Sequence, residues 1–348
     1  MAVIHDVARL AGVSIKTVSR VVNKEHGVRE STRERVQQAI DQLQYTPHSG
    51  ARLMRSGRSN LIGLVTSTIS TVSRDPAKAG LSSIHIVKGI QQKCREAGKT
   101  LLIIDTEPGA EDIQEAVNIL LSYRVDGIFH VLDYHRLIAP LKVADTPCWL
   151  VNGYSTSQVP AVVPDDFVGQ GLAVEYLISQ GHTHLAYVGL STSLEAGKLR
   201  YDGFIQATRQ HGLQEAHVLT EQSMAEATDD TFSLLSEAID RLLDNPERPT
   251  AICFGNDQMA LHAIPIIEKR GLHIPEDISI MGFDNDIATA SAARPKLTTV
   301  ALPYQRMGQI AATQLLQTPA AKVVMNYPLK VKGEVVVRES VRSLLVNN

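Results

Sequence analysis

Lys16, Ser19 and Arg20 stand three and four residues apart in the run Ile4 to Asn23, IHDVARLAGVSIKTVSRVVN. At about 100° per residue they occupy one helical face, roughly 40° to 140° from Ile15, while Val18, Val21 and Val22 fall between roughly 240° and 340°. One side packs and the other is free to read a surface. Lys and Arg on such a face can donate to guanine O6 and N7 in a major groove, and Ser or Thr hydroxyls can bond phosphate oxygens. Ile15 sits at the edge of the apolar stripe, where it either packs partly or touches a thymine methyl.

The elements that would hold this face are legible around it. Ile4, Val7, Ala8 and Ala11 recur at helical spacing, and Gly12 supplies a residue at no steric cost where a helix end calls for a left-handed backbone. Ser14 is placed to cap the next helix, with Val13 and Val18 as a hydrophobic staple. Two helices on a tight Gly-containing turn make a helix-turn-helix. An ordinary helical hairpin with merely solvated basic residues is the competing interpretation; capping, turn and face division together disfavour it. Ser31-Thr32-Arg33-Glu34 reads as a capping box, followed by the stripe Val36, Ala39, Ile40 and Leu43, so residues 1–46 are expected to form a three-helix headpiece. Pro47 breaks the pattern, and 47–60 is polar, basic and rich in Gly and Ser, a linker by composition.

The 348 residues carry a net charge of −3. Residues 1–60 hold ten Lys/Arg against five Asp/Glu, a net of +5, so the remainder carries −8. A basic head on an acidic body suits one part meeting phosphate while the rest stays off it. The N-terminus, interrupted by His5, Asp6 and Arg9, does not read as a signal peptide, and no apolar run approaches a membrane span, so a cytoplasmic location is expected. Cys94, Cys148 and Cys253 are widely spaced and without CxxC, which suits buried small apolar residues rather than disulfides or zinc ligands.

From Leu61 the pattern alternates between strand-like apolar runs and helical stretches. The runs are LIGLV at 61–65, TLLIID at 100–105, GIFHVL at 127–132, CWLVN at 148–152, LAYVGL at 185–190, AICF at 251–254 and ISIMGF at 278–283. Such runs predict parallel sheets with helices on both faces, and the length of 61–340 predicts two lobes with a cleft at the strand ends, leaving 341–348 as a tail.

The run DVARLAGVSIKTVSRVVN, with TRERV at 32–36 and YTP at 45–47, closely resembles the N-terminus of LacI-type (lactose-repressor-like) transcription factors. The phrases IGLV, VDGIF, Asp165-Asp166 with Gly169, YLISQGHTHLAYVG, RYDGF, GNDQMAL, IPEDISIMGFDND and PKLTTV resemble that family's effector core, which is akin to periplasmic sugar-binding proteins. The resemblance implies a helix-turn-helix headpiece plus a periplasmic-binding-protein-like α/β core. It assigns base reading to Ile15, Lys16 and Arg20; the wider DNA-facing set is Ser14, Thr17, Ser19, Asn23 and Thr32. It makes 47–60 a hinge that becomes helical on operator DNA and wedges a Leu into the minor groove. Counting from Tyr45 and Pro47, the wedge position is Met54, with Leu53 one residue early; a one-residue slip rotates the side chain by about 100°, which favours Met54.

By family position the effector-binding candidates are Arg200, Asn256 and Asp284, with Ser67, Asn152 and Tyr304 beside them. Arg200 offers forked donors to vicinal hydroxyls or a carboxylate. Asn256 and Asp284 follow strands at their C-terminal ends, where open α/β sheets bind ligands. Trp149, inside a strand run, is expected in the core. Leu302 departs from the Gln common in sugar-responsive relatives. The stretch 67–84 either closes over the cleft or is an insertion.

The enzyme signatures GxSxG, GxxxxGK[ST], HExxH and GxGxxG are absent from the sequence. His182 and His184 would share a strand face with no third ligand in view and are read as structural. No cofactor and no metal are expected. The expected function is a homodimeric repressor of a carbohydrate-utilisation operon, bound to palindromic double-stranded DNA and released by a sugar or sugar derivative. The alternatives are a corepressor-type regulator responding to a nucleobase or phosphosugar, and a sugar-binding protein without DNA affinity.

Overall fold

The computed structural model describes residues 2–23, 25–45, 59–67, 81–106, 110–157, 159–214, 217–222, 231–317 and 328–345. The chain forms two compact units, Met1–Ser59 and Asn60–Asn348.

In the first unit α1 (Ile4–Ala11) and α2 (Ile15–Val22) meet at Gly12, whose φ of 62° and ψ of 40° are left-handed. Gly12 N–H donates to Arg9 O at 3.3 Å and Val13 N–H to Ala8 O at 3.0 Å, which satisfies the last carbonyls of α1 as the chain turns. Ser14 Oγ accepts from Thr17 N–H at 3.2 Å and caps α2. With α3 (Glu30–Gln42) these helices bury Val7, Ala8, Ala11, Val18, Val21, Val36, Ala39 and Tyr45, and Val13 packs on the same cluster. The capping box expected at Ser31 is corrected. α3 starts earlier, at Glu30, with Arg29 in the cap position and no side-chain cap bond. Ser31 and Thr32 therefore lie inside the first turn, while Arg33 donates to Glu25 O at 3.3 Å and ties the approach to the helix.

Among the described residues the second unit has two six-stranded, almost wholly parallel sheets and one two-stranded pair. Lobe 1 is built from β1 (Leu61–Thr66), α4 (Leu81–Glu96), β2 (Thr100–Asp105), α5 (Ala110–Ser122), β3 (Ile128–Val131), the short pair β4 (Leu137–Ile138) and β6 (Tyr154–Ser155), β5 (Cys148–Val151) and β7 (Ala161–Pro164). Lobe 2 holds α6 (Asp166–Ser179), β8 (Leu185–Gly189), α7 (Glu195–Gln210), β9 (Val218–Gln222), α8 (Thr231–Leu243), β10 (Ala251–Phe254), α9 (Asp257–Lys269), β11 (Ser279–Asp284), α10 (Ile287–Ala292) and β12 (Thr298–Ala301). α11 (Tyr304–Gln317) and β13 (Leu329–Val331) return to lobe 1, and β14 (Glu334–Val336) to lobe 2.

The strand orders are β13-β7-β5-β3-β1-β2 and β14-β12-β11-β10-β8-β9, and only β14 among these described strands runs antiparallel to its neighbour. Strands β3, β5, β7, β8 and β10 are buried along their whole length, the signature of sheets covered on both faces. Trp149 is 3% exposed and pairs in register with Phe129, so it is core. The chain passes between lobes at 164–166, 301–304 and 331–334. The buried cluster follows it, running from Ile62 and Phe129 through Phe283, Leu302 and Tyr304 to Tyr187 and Phe204.

Candidate DNA-reading surface and effector cleft

On the headpiece, burying Val18 and Val21 turns the opposite face of α2 outward. Lys16, Arg20 and Asn23 are exposed, Thr17, Ser19 and Thr32 are half-buried, and Ile15 is 41% exposed, so it sits outside the core rather than in it. Arg20 Nε lies 3.7 Å from Glu25 Oε2, an exposed pair that costs little to exchange for another partner. Asn23 Nδ2 donates to Ser19 Oγ at 3.3 Å. Ser14, Thr17, Arg20, Arg29, Thr32 and Arg35 line one shallow hollow of about 350 Å³, so hydroxyl donors and guanidinium groups share a concave face suited to phosphate oxygens. Leu53 and Met54 lie outside the described residues, as does the stretch 68–80.

The cleft side of the core is organised by Arg200. It lies on α7, one turn before Gly203, where a Cβ would stand 2.2 Å from Phe167 O; only glycine lets α7 press so closely on α6. That contact sets Arg200 beside Asp166, the first residue of α6. Arg200 Nε donates to Asp166 Oδ1 at 2.8 Å, Nη1 to Gly255 O at 2.6 Å and Nη2 to Asp284 Oδ1 at 3.1 Å. Its guanidinium carbon stands 4.1 Å from the centroid of the Phe283 ring, a cation–π contact. His135, in the loop after β3, approaches Asp166 Oδ2 through Nδ1 at 2.7 Å. Tyr304 Oη donates to Asp284 Oδ1 at 2.9 Å.

Arg200 is 5% exposed and Asp166 fully buried, whereas the Asp284 side chain keeps 27% of its surface. Burial alone would raise the Asp166 carboxyl, but the Arg200 charge and the His135 bond outweigh it and hold it below the usual range. For Asp284 the balance reverses: burial lifts its carboxyl despite Arg200 and Tyr304. Buried charge so heavily paired is a positioning device, and Asp284 is the member of the chain that faces outward.

Lobe 1 contributes polar groups at the same ends of its strands. Ser67 donates to Asp133 Oδ2. Asn152, left-handed at φ 64°, donates to Leu132 O at 3.0 Å. Thr106 Oγ1, His130 Nδ1 and Asp133 Oδ1 are buried and have no hydrogen-bond partner among the described residues. Thr106 and Asp133 follow the C-terminal ends of β2 and β3, and His130 lies in the last half of β3; unpaired buried polar atoms at a sheet rim call for a polar ligand or water. Burial raises the Asp133 carboxyl and depresses His130 to about 4.

Among the sequence-derived candidates, Arg200, Asp284 and Tyr304 meet directly. Asn256 caps α9, its Oδ1 accepting from Met259 N–H at 2.8 Å, next to the Gly255 carbonyl that Arg200 holds. Ser67 and Asn152 belong to the lobe 1 rim. Leu302, buried in the shared core at 6% exposure, offers no polar contact. His135 and Asp133 escaped the residue-level reading; their signal is an acid and a histidine just past the apolar run GIFHVL.

Residues 3–48 match the family described as bacterial regulatory proteins, lacI family, and residues 174–341 match a periplasmic binding protein-like domain. The HTH-type transcriptional repressor PurR of Vibrio atlanticus (strain LGP32) is 33% identical over 99% of this chain and 100% of its own length. The crystal structure of the lac repressor dimer bound to operator and the anti-inducer ONPF superposes with a TM-score of 0.78 at 26% identity, covering 98% of this chain and 99% of that one. A transcriptional regulator CelR–cellobiose complex gives 0.62 at 26% identity, covering 98% and 100%. With a headpiece that presents a basic helix face and a separate two-lobed core, the chain belongs to the LacI family of bacterial regulatory proteins and is a DNA-binding transcriptional repressor.

Proposed function

We propose that this repressor binds a palindromic operator as a homodimer and that a small polyhydroxylated molecule, a sugar or sugar derivative serving carbohydrate utilisation, enters the interlobe cleft and releases it. Lys16 and Arg20 read bases, with Ile15 against a thymine methyl; Ser14, Thr17, Ser19, Asn23 and Thr32 hold the backbone; Leu53 or Met54 of the hinge enters the minor groove.

The observation that carries the effector assignment is the pair of cleft carboxylates. Asp133 Oδ1 is unpaired among the described residues and Asp284 is partly open, so both accept from ligand hydroxyls. Arg200, Tyr304 and Asn256 orient the lobe 2 side; Ser67 and Asn152 orient the lobe 1 side. The likeness to the CelR–cellobiose complex supports the same class.

The bonds His135–Asp166–Arg200–Asp284–Tyr304 pass from lobe 1 to lobe 2 and back, so a ligand that rebonds Asp284 acts on lobe closure. Moving a two-state switch from 1:99 to 99:1 takes about 5.5 kcal/mol, and two charge-assisted bonds of about 1.5–3 kcal/mol each reach that range. Dimerisation is supported by apolar side chains left exposed on lobe 1: Ile103 on edge strand β2 is 41% exposed, Ile84 of α4 45% and Ile119 of α5 42%.

A second reading, a corepressor that tightens DNA binding, is favoured by the likeness to repressors named PurR and takes a nucleobase or phosphosugar in the same cleft. A thermal-shift screen of the full-length protein against sugars, phosphosugars and nucleosides separates the two. A ligand at 100 times its dissociation constant stabilises by about 2.7 kcal/mol. Stabilisation by neutral sugars supports the first reading, and stabilisation by nucleobases or nucleosides alone overturns it.

A further inference from the structure

The lobe 2 sheet carries a second polar cluster at the rim opposite the cleft. His184 immediately precedes β8 and His217 immediately precedes β9, and those strands pair in parallel with Leu185 opposite Val218. The register therefore sets the two imidazoles side by side, with ring centroids 3.7 Å apart and planes 29° from parallel. Glu247 comes from the turn before β10, the other neighbour of β8. Its Oε2 lies 3.6 Å from His184 Nε2 and 3.8 Å from His217 Nε2. His184 Nδ1 is 3.2 Å from Thr183 Oγ1, which leaves Nε2 as the nitrogen facing the carboxylate. The ligand atoms of His184, His217 and Glu247 all lie within 4.8 Å of one another.

His182, the residue the sequence paired with His184, is not part of this group. It is fully buried, bonded through Nδ1 to Thr250 Oγ1 at 2.9 Å and through Nε2 to Arg342 O at 3.1 Å. It holds the chain after β14 against lobe 2.

We propose that His184, His217 and Glu247 form a binding site for a zinc-like transition-metal cation. Two imidazole nitrogens and a carboxylate oxygen are the donor set such ions take, with a further position open to water. Tetrahedral coordination at about 2.0–2.1 Å places ligand atoms roughly 3.3 Å apart. The observed 3.6 and 3.8 Å separations need to close by only a few tenths of an ångström. One ring must also turn out of the stack so that the nitrogen lone pairs converge. The side chains are 29%, 24% and 58% exposed, so they have room to do so. The hollow lined by His184 and Glu247, about 550 Å³, admits a hydrated ion. Arg248 lines the same hollow, a positive charge that a bound cation must face. A bound ion would clasp the entries to β8, β9 and β10 far along the strands from the effector groups.

The test is a Zn²⁺ titration of EDTA-stripped full-length protein by calorimetry, repeated with Co²⁺ for its visible absorption. His217→Ala and Glu247→Gln remove ligands; His273→Ala, at another exposed histidine, is the control. The wild type and H273A are expected to bind one Zn²⁺ equivalent that H217A loses and that E247Q binds at least roughly tenfold more weakly. Zn²⁺ should also raise the unfolding midpoint of the wild type but not of H217A. Equal Zn²⁺ affinity and stoichiometry in all four proteins, or no binding in the wild type, overturns the proposal.

Discussion

His135 Nδ1 lies 2.7 Å from Asp166 Oδ2, joining the loop after β3 in lobe 1 to the first turn of α6 in lobe 2. Both groups are almost wholly buried, and the same carboxylate holds Arg200. The bond is therefore a tie across the cleft. His135→Ala removes one of its ends and is expected to cost about 1–3 kcal/mol, because a buried acceptor loses its donor. The Asp166 carboxyl is held below the usual range, so its contribution is present above the unfolded value near about 3.9 and is lost as pH falls through the folded one. Urea unfolding at several acidic pH values should show the acid-side loss in the wild type diminished in H135A; identical profiles would contradict the tie.

Arg200→Ala leaves Asp166 buried without its main counter-charge and is expected to destabilise lobe 2 by about 3–5 kcal/mol. Tyr304→Phe deletes only the bond to Asp284 and should cost about 1 kcal/mol. Chemical denaturation of the two variants side by side checks the ordering; a mild R200A would mean that the guanidinium serves the ligand more than the fold.

Asp257 supplies a pH dependence of opposite sign. Burial pushes its carboxyl up to about 8, although it accepts from Thr299 Oγ1 at 2.5 Å and Asp286 N–H at 2.6 Å. A raised folded value means that the folded chain keeps a proton the unfolded chain releases. Stability from this group is complete below about pH 3.9 and declines until pH passes about 8, by up to about 1.4 kcal/mol per pH unit. Asp257→Asn offers one donor and one acceptor at every pH, so the difference between D257N and wild type should grow in favour of D257N from pH 5 to pH 8. A constant difference across that range would rule out the protonated carboxyl.

On DNA, Arg20→Ala should cost about 1–3 kcal/mol and relax one base position, since its guanidinium is exposed on the reading face. Ser14→Ala should instead lower headpiece stability by about 1 kcal/mol through loss of the cap on Thr17 N–H. Binding-site selection with each variant distinguishes them: an unchanged base preference in R20A would remove it from the readers.

Wholly or almost wholly buried parallel strands read as apolar runs, which is why β1, β3, β5, β8, β10 and β11 are visible in the sequence; half-exposed β2 is visible through TLLIID, and four-residue β7, though buried, does not stand out. The short β13 and β14 at the sheet edges carry no such run, and the passages between lobes are set by long-range packing that no local pattern records. In the site, Arg200 and Asp284 are legible by family position. His135 is not, because its role depends on the end of β3 arriving beside the start of α6. The same holds at the far rim, where the partner of His184 is His217, found through strand register across 33 residues rather than His182 two positions away. Ser31 misleads as well: α3 starts one residue before it, at Glu30, without a side-chain cap, and Arg33 is bonded to Glu25 O.

The coupling of cleft to operator is tested most directly by the affinity of the full-length protein for a palindromic duplex selected from random DNA, measured with and without the sugar that stabilises it. The expected result is at least roughly tenfold weaker binding with ligand, about 1.4 kcal/mol, and no such change in Asp284→Asn. Tighter DNA binding in the presence of the ligand, or an affinity that ligand leaves unchanged in the wild type, would contradict it.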